Sequence, residues 1–173
     1  NFFVKIILDN DEIIKIKDFT TNLIEVKKKE SHHIKDSGSE KKRWLTGLLG
    51  ERAVEKYLGL KFMDFTIGNS RKYHVSDMKI AGYNCGVKTV EKGKFPIIFK
   101  LSYKPEIIVI REDKVENLLW ICGLATTDVL NNHQSDSLIL SPSLKSRGTK
   151  TGFYGFDRLI HPDKILDHLD ILD

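Results

Sequence analysis

Apolar and polar positions alternate on both sides of an early turn signal. FFVKIIL and EIIKIKDF flank Asp9-Asn10-Asp11, which predicts a β-hairpin over residues 2–19. The lysine-rich stretch 21–35 predicts a short helix capped by Thr20 or Thr21, with Leu23, Ile24 and Val26 as its apolar contacts. Asp36-Ser37-Gly38-Ser39 reads as a linker. Ser39 then caps a helix over residues 40–58 that stops at Gly59. Strand patterns follow at 61–67, 73–80 and 83–90, the last two joined into a hairpin by Ala81-Gly82. Glu91-Lys92-Gly93-Lys94 is a turn, and 95–101, 106–111 and 118–124 are β-like runs rich in Ile, Val and aromatics. Thr126 or Thr127 opens a helix over 128–134, and residues 163–173 predict a last one. The expected fold is α/β, with a mixed sheet flanked by helices. Residues 1–38 form an N-terminal hairpin and lysine-rich segment, and 39–173 form the core with its Gly/Ser-rich basic stretch SPSLKSRGTKTGFYGF.

Spacing residues about 100° apart around the 40–58 helix sorts its side chains. Lys42, Arg52 and Lys56 fall on one side, facing solvent or phosphate. Trp44, Leu48 and Leu58 gather on the other, with Glu51 and Glu55 inside that apolar arc and Gly47 and Gly50 beside Glu51. A buried glutamate is costly unless a cation, a metal or hydrogen bonds compensate it. Such a residue either pairs with a buried Lys or Arg, or lines a site between helix and sheet.

The predicted hairpin brings an aspartate and a lysine together. Asp77 ends Tyr73-His74-Val75-Ser76-Asp77, and Lys88 lies in Cys85-Gly86-Val87-Lys88-Thr89, so the two can share one face. His74 falls on the opposite face and takes no role. Phosphodiester hydrolysis uses metal ions to neutralise the phosphate and activate water. Mg²⁺ takes hard oxygen ligands, and a nearby lysine can position the water or stabilise developing charge.

Taken together, GLLGERAVEKYLGLKF, Asn69, Ser76-Asp77 and Gly86-Val87-Lys88-Thr89 resemble the core of the PD-(D/E)xK nucleases. The likeness is nearest to Holliday-junction resolvases and small YraN-type bacterial proteins. Gly47, Gly50, Glu51, Ala53, Tyr57 and Leu58 match their G-x-x-G-E-x-x-A-x-x-Y-L helix, although Gly59 comes early. The resemblance covers roughly residues 43–90. It implies a restriction-endonuclease-like fold and a Mg²⁺- or Mn²⁺-dependent DNA endonuclease, with RNA as another substrate. Glu51 and Asp77 would bind metal, and Lys88 would assist catalysis. Many relatives of the fold act as homodimers, an analogy at the level of the fold alone.

One position departs from the pattern. The family's second acid precedes the lysine by two residues, and here that position is Gly86. Three explanations stand: Glu51, Glu55 or Glu106 has taken over the role; the chain is a non-catalytic nucleic-acid-binding or protein-interaction module; or glycine is an introduced change that keeps a nuclease inactive. Because residues 86 and 88 share a strand face, a glutamate installed at 86 is expected to complete the metal site.

Composition narrows the classes without choosing among them. With 173 residues, 40% hydrophobic and 30% charged, the chain is long enough for one domain with a core, and nothing suggests disorder or a fibrous repeat. A net charge of +4 is compatible with nucleic acid without requiring it. Cys85 and Cys122, both in apolar runs, read as buried free thiols, and with no disulfide framework the chain is expected to be cytoplasmic. No apolar run approaches the roughly 20 residues of a membrane span, no signal peptide is visible, and the start at Asn1 leaves room for a lost leader or initiator. Lys145, Arg147 and Lys150 lie among Ser, Gly and Thr ahead of Phe153-Tyr154-Gly155-Phe156. Such a stretch either tracks phosphates and stacks bases or is a surface loop that packs its aromatics inward. Lys27-Lys28-Lys29 with His32-His33 reads as a solvated face.

Overall fold

The computed structural model describes residues 3–30, 37–65 and 77–172. The fold is mixed α/β. A four-stranded sheet in the order β1-β5-β4-β2 combines β1 (Val4–Ile7), β2 (Gly86–Glu91), β4 (Glu106–Arg111) and β5 (Leu118–Ala125). β2 and β4 run parallel, while β4–β5 and β1–β5 are antiparallel. A smaller antiparallel sheet, in the order β3-β7-β6, is built from β3 (Ile97–Phe99), β6 (Gln134–Ser135) and β7 (Lys150–Phe153).

The predicted N-terminal hairpin is not formed. Only its first half is a strand, and α1 (Asn10–Glu30) follows at once. Asp9-Asn10-Asp11 starts a helix instead of turning a hairpin. Asp9 accepts from the Glu12 N–H and Glu12 accepts from the Asp9 N–H, each at 2.8 Å, a reciprocal capping box. Ile13, Ile16, Thr20 and Ile24 are buried while Ile14 is exposed, so the period is helical. Thr20 therefore caps nothing; its hydroxyl donates to the Ile16 carbonyl inside the helix. Leu8, Ile13 and Ile16 share one core with Leu49, Ala53, Ile107, Leu119 and Ile121, so this N-terminal stretch belongs to the main body.

α2 (Ser37–Leu58) begins two residues before Ser39 and ends as expected. Gly59 adopts φ 69°, and the Leu60 N–H reaches back to the Glu55 carbonyl, closing a Schellman-type end. Its buried face is Thr46, Leu49, Ala53 and Val54, whereas Trp44, Leu48 and Leu58 are only partly covered. α2 lies across the main sheet with Gly50 against Thr89 of β2: a Cβ at residue 50 would stand within 2.9 Å of the Thr89 hydroxyl, Cβ and methyl.

Elsewhere the runs expected at 106–111 and 118–124 are strands, and the 95–101 run shortens to β3. Thr126 caps α3 (Thr127–Asn132) by accepting from the Val129 N–H. A further short helix, α4 (Pro142–Arg147), precedes β7. The expected strand at 61–67 is irregular over 61–65, and the C-terminal helix is replaced by short 3-10 turns, Pro162–Lys164 and Leu166–His168. Beneath the second sheet Phe153, Ile98, Ile108 and Leu130 form a second cluster, so Phe153 packs inward. Cys85 and Cys122 are buried thiols that form no disulfide with each other. Among the described residues no helix is long and apolar enough to cross a membrane.

Candidate active site at the start of β2 and β4

β2 presents alternate faces. Thr89 meets α2 and Val87 packs on the core beneath it, which turns Gly86 and Lys88 to the opposite face. On that face Glu106 of β4 stands directly across from Gly86 in the parallel register. A Cβ at residue 86 would lie within 2.8 Å of all three heavy atoms of the Glu106 carboxyl group. The room that a carboxylate at 86 would need is already filled by the carboxylate of 106. A glutamate installed at 86, expected to complete the metal site, would therefore collide with Glu106 as it stands.

Glu106 is 9% exposed, and its Oε2 has no hydrogen-bond partner among the described residues. Burial pushes its carboxyl up to about 7, with Lys88 and Lys104 pulling the other way and Asp77 adding to the rise. A buried acceptor left without a donor costs about 1–3 kcal/mol, so such groups are rare unless something else engages them.

Asp77 reaches the same place by a route different from the expected hairpin. Residues 73–76, which include His74 and Ser76, lie outside the described residues, as does Asn69. From Asp77 the chain makes a turn and a 3-10 segment, Lys79–Ala81, before returning to β2. The Met78 N–H donates to the Cys85 carbonyl across this turn. Asp77 Oδ2 accepts from the Val87 N–H at 2.6 Å, which fixes it at the start of β2. Its charge acts on both Glu106 and Glu51.

Glu51 approaches from α2, on the other side of the sheet from Lys88. Burial, then the charges of Asp77 and Glu55, push its carboxyl up to about 8. Among the described residues no three His, Cys, Asp or Glu side chains converge as a ready-made metal cage.

Glu55 is a structural residue. Its Oε2 accepts from the Phe62 and Met63 N–H groups at 2.7 and 2.8 Å, and Arg52 donates to its Oε1 at 3.1 Å. It pins the segment after α2, and both of its carboxyl oxygens are already engaged.

The cations separate in the same way. Arg52 and Lys56, expected to face solvent or phosphate, both pair with Glu12 of α1, at 2.7 and 3.2 Å, and hold the two helices together, with Lys56 still exposed. Lys42 bridges to Glu91 at 3.3 Å. Lys145 and Arg147 are exposed on α4. Lys150 is drawn inward from β7, its Nζ 3.4 Å from the centre of the Phe99 ring. Burial, then Lys88 and Arg43, push its ammonium down to about 8 against the pull of Glu106.

Sequence reasoning missed Lys104 and Tyr103, which share a cleft of about 190 Å³ with Lys88 and Glu106. Only the parallel pairing of β2 with β4 brings them to the site, and no local motif announces that pairing. No protein-family model matches the chain, and no curated protein or solved structure matches it either.

Proposed function

We propose that the chain is a divalent-metal-dependent phosphodiesterase acting on nucleic acid, on a restriction-endonuclease-like fold, with its second acid supplied by Glu106. The observation that carries this reading is the orphaned, buried Glu106 carboxyl in the space beside Gly86. With Glu106 filling the volume beside Gly86, a carboxylate stands where the strand itself lacks one.

The donor set fits Mg²⁺ or Mn²⁺ as a two-carboxylate site. Such ions typically take one or two carboxylates and complete their shell with water and phosphate oxygens. Asp77 and Glu106 would hold the ion, which when bound supplies charge neutralisation and an acidified water. Glu51, on α2 and raised by burial and by the charge of Asp77, would bias the charge of that aspartate and serve as a positioning residue. Lys88, on the Glu106 face, offers its ammonium to the developing negative charge of the phosphoryl oxygens. Lys150 and Lys104 add positive potential that draws a phosphodiester in.

The test is cleavage of single-stranded, duplex and branched DNA and of RNA in Mg²⁺ and in Mn²⁺. The expected result is metal-dependent cleavage that is lost with a chelator and in Asp77→Asn, Glu106→Gln and Lys88→Ala. Absence of cleavage on every substrate, or cleavage indifferent to Glu106→Gln, overturns the reading in favour of a non-catalytic binding module.

A further inference from the structure

The connection from β3 to β4 carries an aromatic ring that the fold does not use. Tyr103 is 78% exposed and Leu101 is 56% exposed, yet both line the cleft that holds Lys88, Lys104 and the buried Glu106. An exposed aromatic is ordinary on its own. Here a second observation accompanies it: Glu106, more than nine-tenths buried and with one carboxyl oxygen lacking a hydrogen-bond partner among the described residues, lines the same cleft.

The segment is also held in place. Asn131 of α3 reads both backbone groups of Ser102: its Oδ1 accepts from the Ser102 N–H at 2.8 Å, and its Nδ2 donates to the Ser102 carbonyl at 3.2 Å. Gln134 Nε2 donates to the Lys100 carbonyl at 3.1 Å. Side chains of the second sheet and its helix thus fix the backbone immediately before Tyr103. A ring presented from an anchored backbone loses little freedom when a ligand stacks on it.

We propose that this cleft takes one unpaired nucleotide of a single-stranded polynucleotide, its base against Tyr103 and Leu101 and its phosphate led by Lys104 and Lys88 toward Glu106. The inference rests on the reading of Glu106 as the carboxylate that faces the scissile phosphodiester. Three features select this occupant. Lys88 and Lys104 put two positive charges against the one carboxyl of Glu106 in the cleft, which suits an anion. The aromatic and aliphatic pair calls for a flat apolar surface, and every base offers a π-face whatever its identity. A volume of about 190 Å³ falls below the roughly 300–1,000 Å³ of pockets that enclose a whole small ligand, so it matches one nucleotide of a longer strand. A base locked in a continuous duplex cannot present its face to Tyr103, so unpaired ends, flaps and loops are the preferred substrates.

The experiment measures binding without cleavage. Fluorescein-labelled oligothymidylate, oligouridylate and a blunt duplex of equal length are titrated with the full chain in a chelator, with anisotropy as the readout. Tighter binding of at least one single strand than of the duplex is expected. Tyr103→Ala should weaken that binding about ten-fold, and Tyr103→Phe should restore it, because stacking needs the ring and not the hydroxyl. Equal affinity for single strand and duplex, or a Tyr103→Ala variant that binds like the parent, overturns the inference. Single-strand binding that depends on Tyr103 but is never followed by metal-dependent cleavage keeps the binding site and rejects the phosphodiesterase. Cleavage with no role for Tyr103 does the reverse.

Discussion

Gly86 and Glu106 face each other across two parallel strands, and only the absence of a side chain at 86 lets the Glu106 carboxyl lie where it does. The pair therefore behaves as one unit. Gly86→Ala forces a collision with a buried group, and an overpacked site of this kind costs about 1–3 kcal/mol. Gly86→Ala and Gly86→Glu should each lower the urea midpoint and abolish cleavage. Combining Gly86→Glu with Glu106→Gly moves the carboxylate back by one strand, and it should recover both stability and cleavage relative to Gly86→Glu. A double variant no better than the single would show that the two positions do not exchange roles.

Stability and activity should move in opposite directions at Glu106. Its unpartnered buried oxygen is a cost to the folded state that an apolar side chain of similar length removes. Glu106→Met should raise unfolding stability by about 1 kcal/mol while eliminating cleavage. The lysines around it are only partly buried, so losing their counter-charge subtracts little. A loss of stability in Glu106→Met by urea titration would assign the carboxyl a structural role.

Much of the candidate site was legible in the chain, though the residue proposed to complete it was not singled out. The αL glycine that ends α2, the buried strands, Asp77, Lys88 and the anomaly at Gly86 are all local signals, and each has a local physical cause. Glu106 was visible only as one of several candidate acids, because its place depends on which strand pairs beside β2. The N-terminal hairpin failed for a different reason. Alternation in FFVKIIL was carried past Asp9, although Asp9-x-x-Glu12 is a capping box and Ile13, Ile16, Thr20 and Ile24 repeat with a helical period. The pairing of Arg52 and Lys56 with Glu12 has the same cause, since Glu12 comes within their reach only once that segment is a helix.

Glu12 should make stability depend on acid. Burial raises its carboxyl, but the Asp9 N–H, Arg52 and Lys56 together hold it below the ordinary value of 4.5. A group depressed in the folded state stabilises the fold above its unfolded pKa, and that contribution is lost as pH falls through the folded one. Glu12→Gln should therefore destabilise the chain at neutral pH by about 1 kcal/mol, because solvent around Arg52 and Lys56 screens the charge pairs. The difference from the parent should shrink steadily below about pH 4.5. Arg52→Ala should show the same stability loss with nucleic-acid affinity unchanged, and weakened binding with full stability would return Arg52 to the phosphate-contacting residues.

Asn131 offers a way to loosen the Tyr103 loop without touching any group that meets substrate. Asn131→Ala removes both hydrogen bonds to the Ser102 backbone, and each contributes about 0.5–1.5 kcal/mol to holding the segment. The global fold should survive, because Leu130 and Phe153 keep α3 seated on the second cluster. Amide exchange over residues 99–104 should speed up while the amides of β4 and β5 stay protected. Affinity for oligothymidylate should fall, since a mobile loop must now be ordered when the strand binds, while duplex affinity should hardly change. Adding Tyr103→Ala to Asn131→Ala should then weaken single-strand binding less than Tyr103→Ala does alone, because a loop already loose presents the ring poorly. Strict additivity of the two substitutions would mean that Asn131 supports the fold but not the stacking surface.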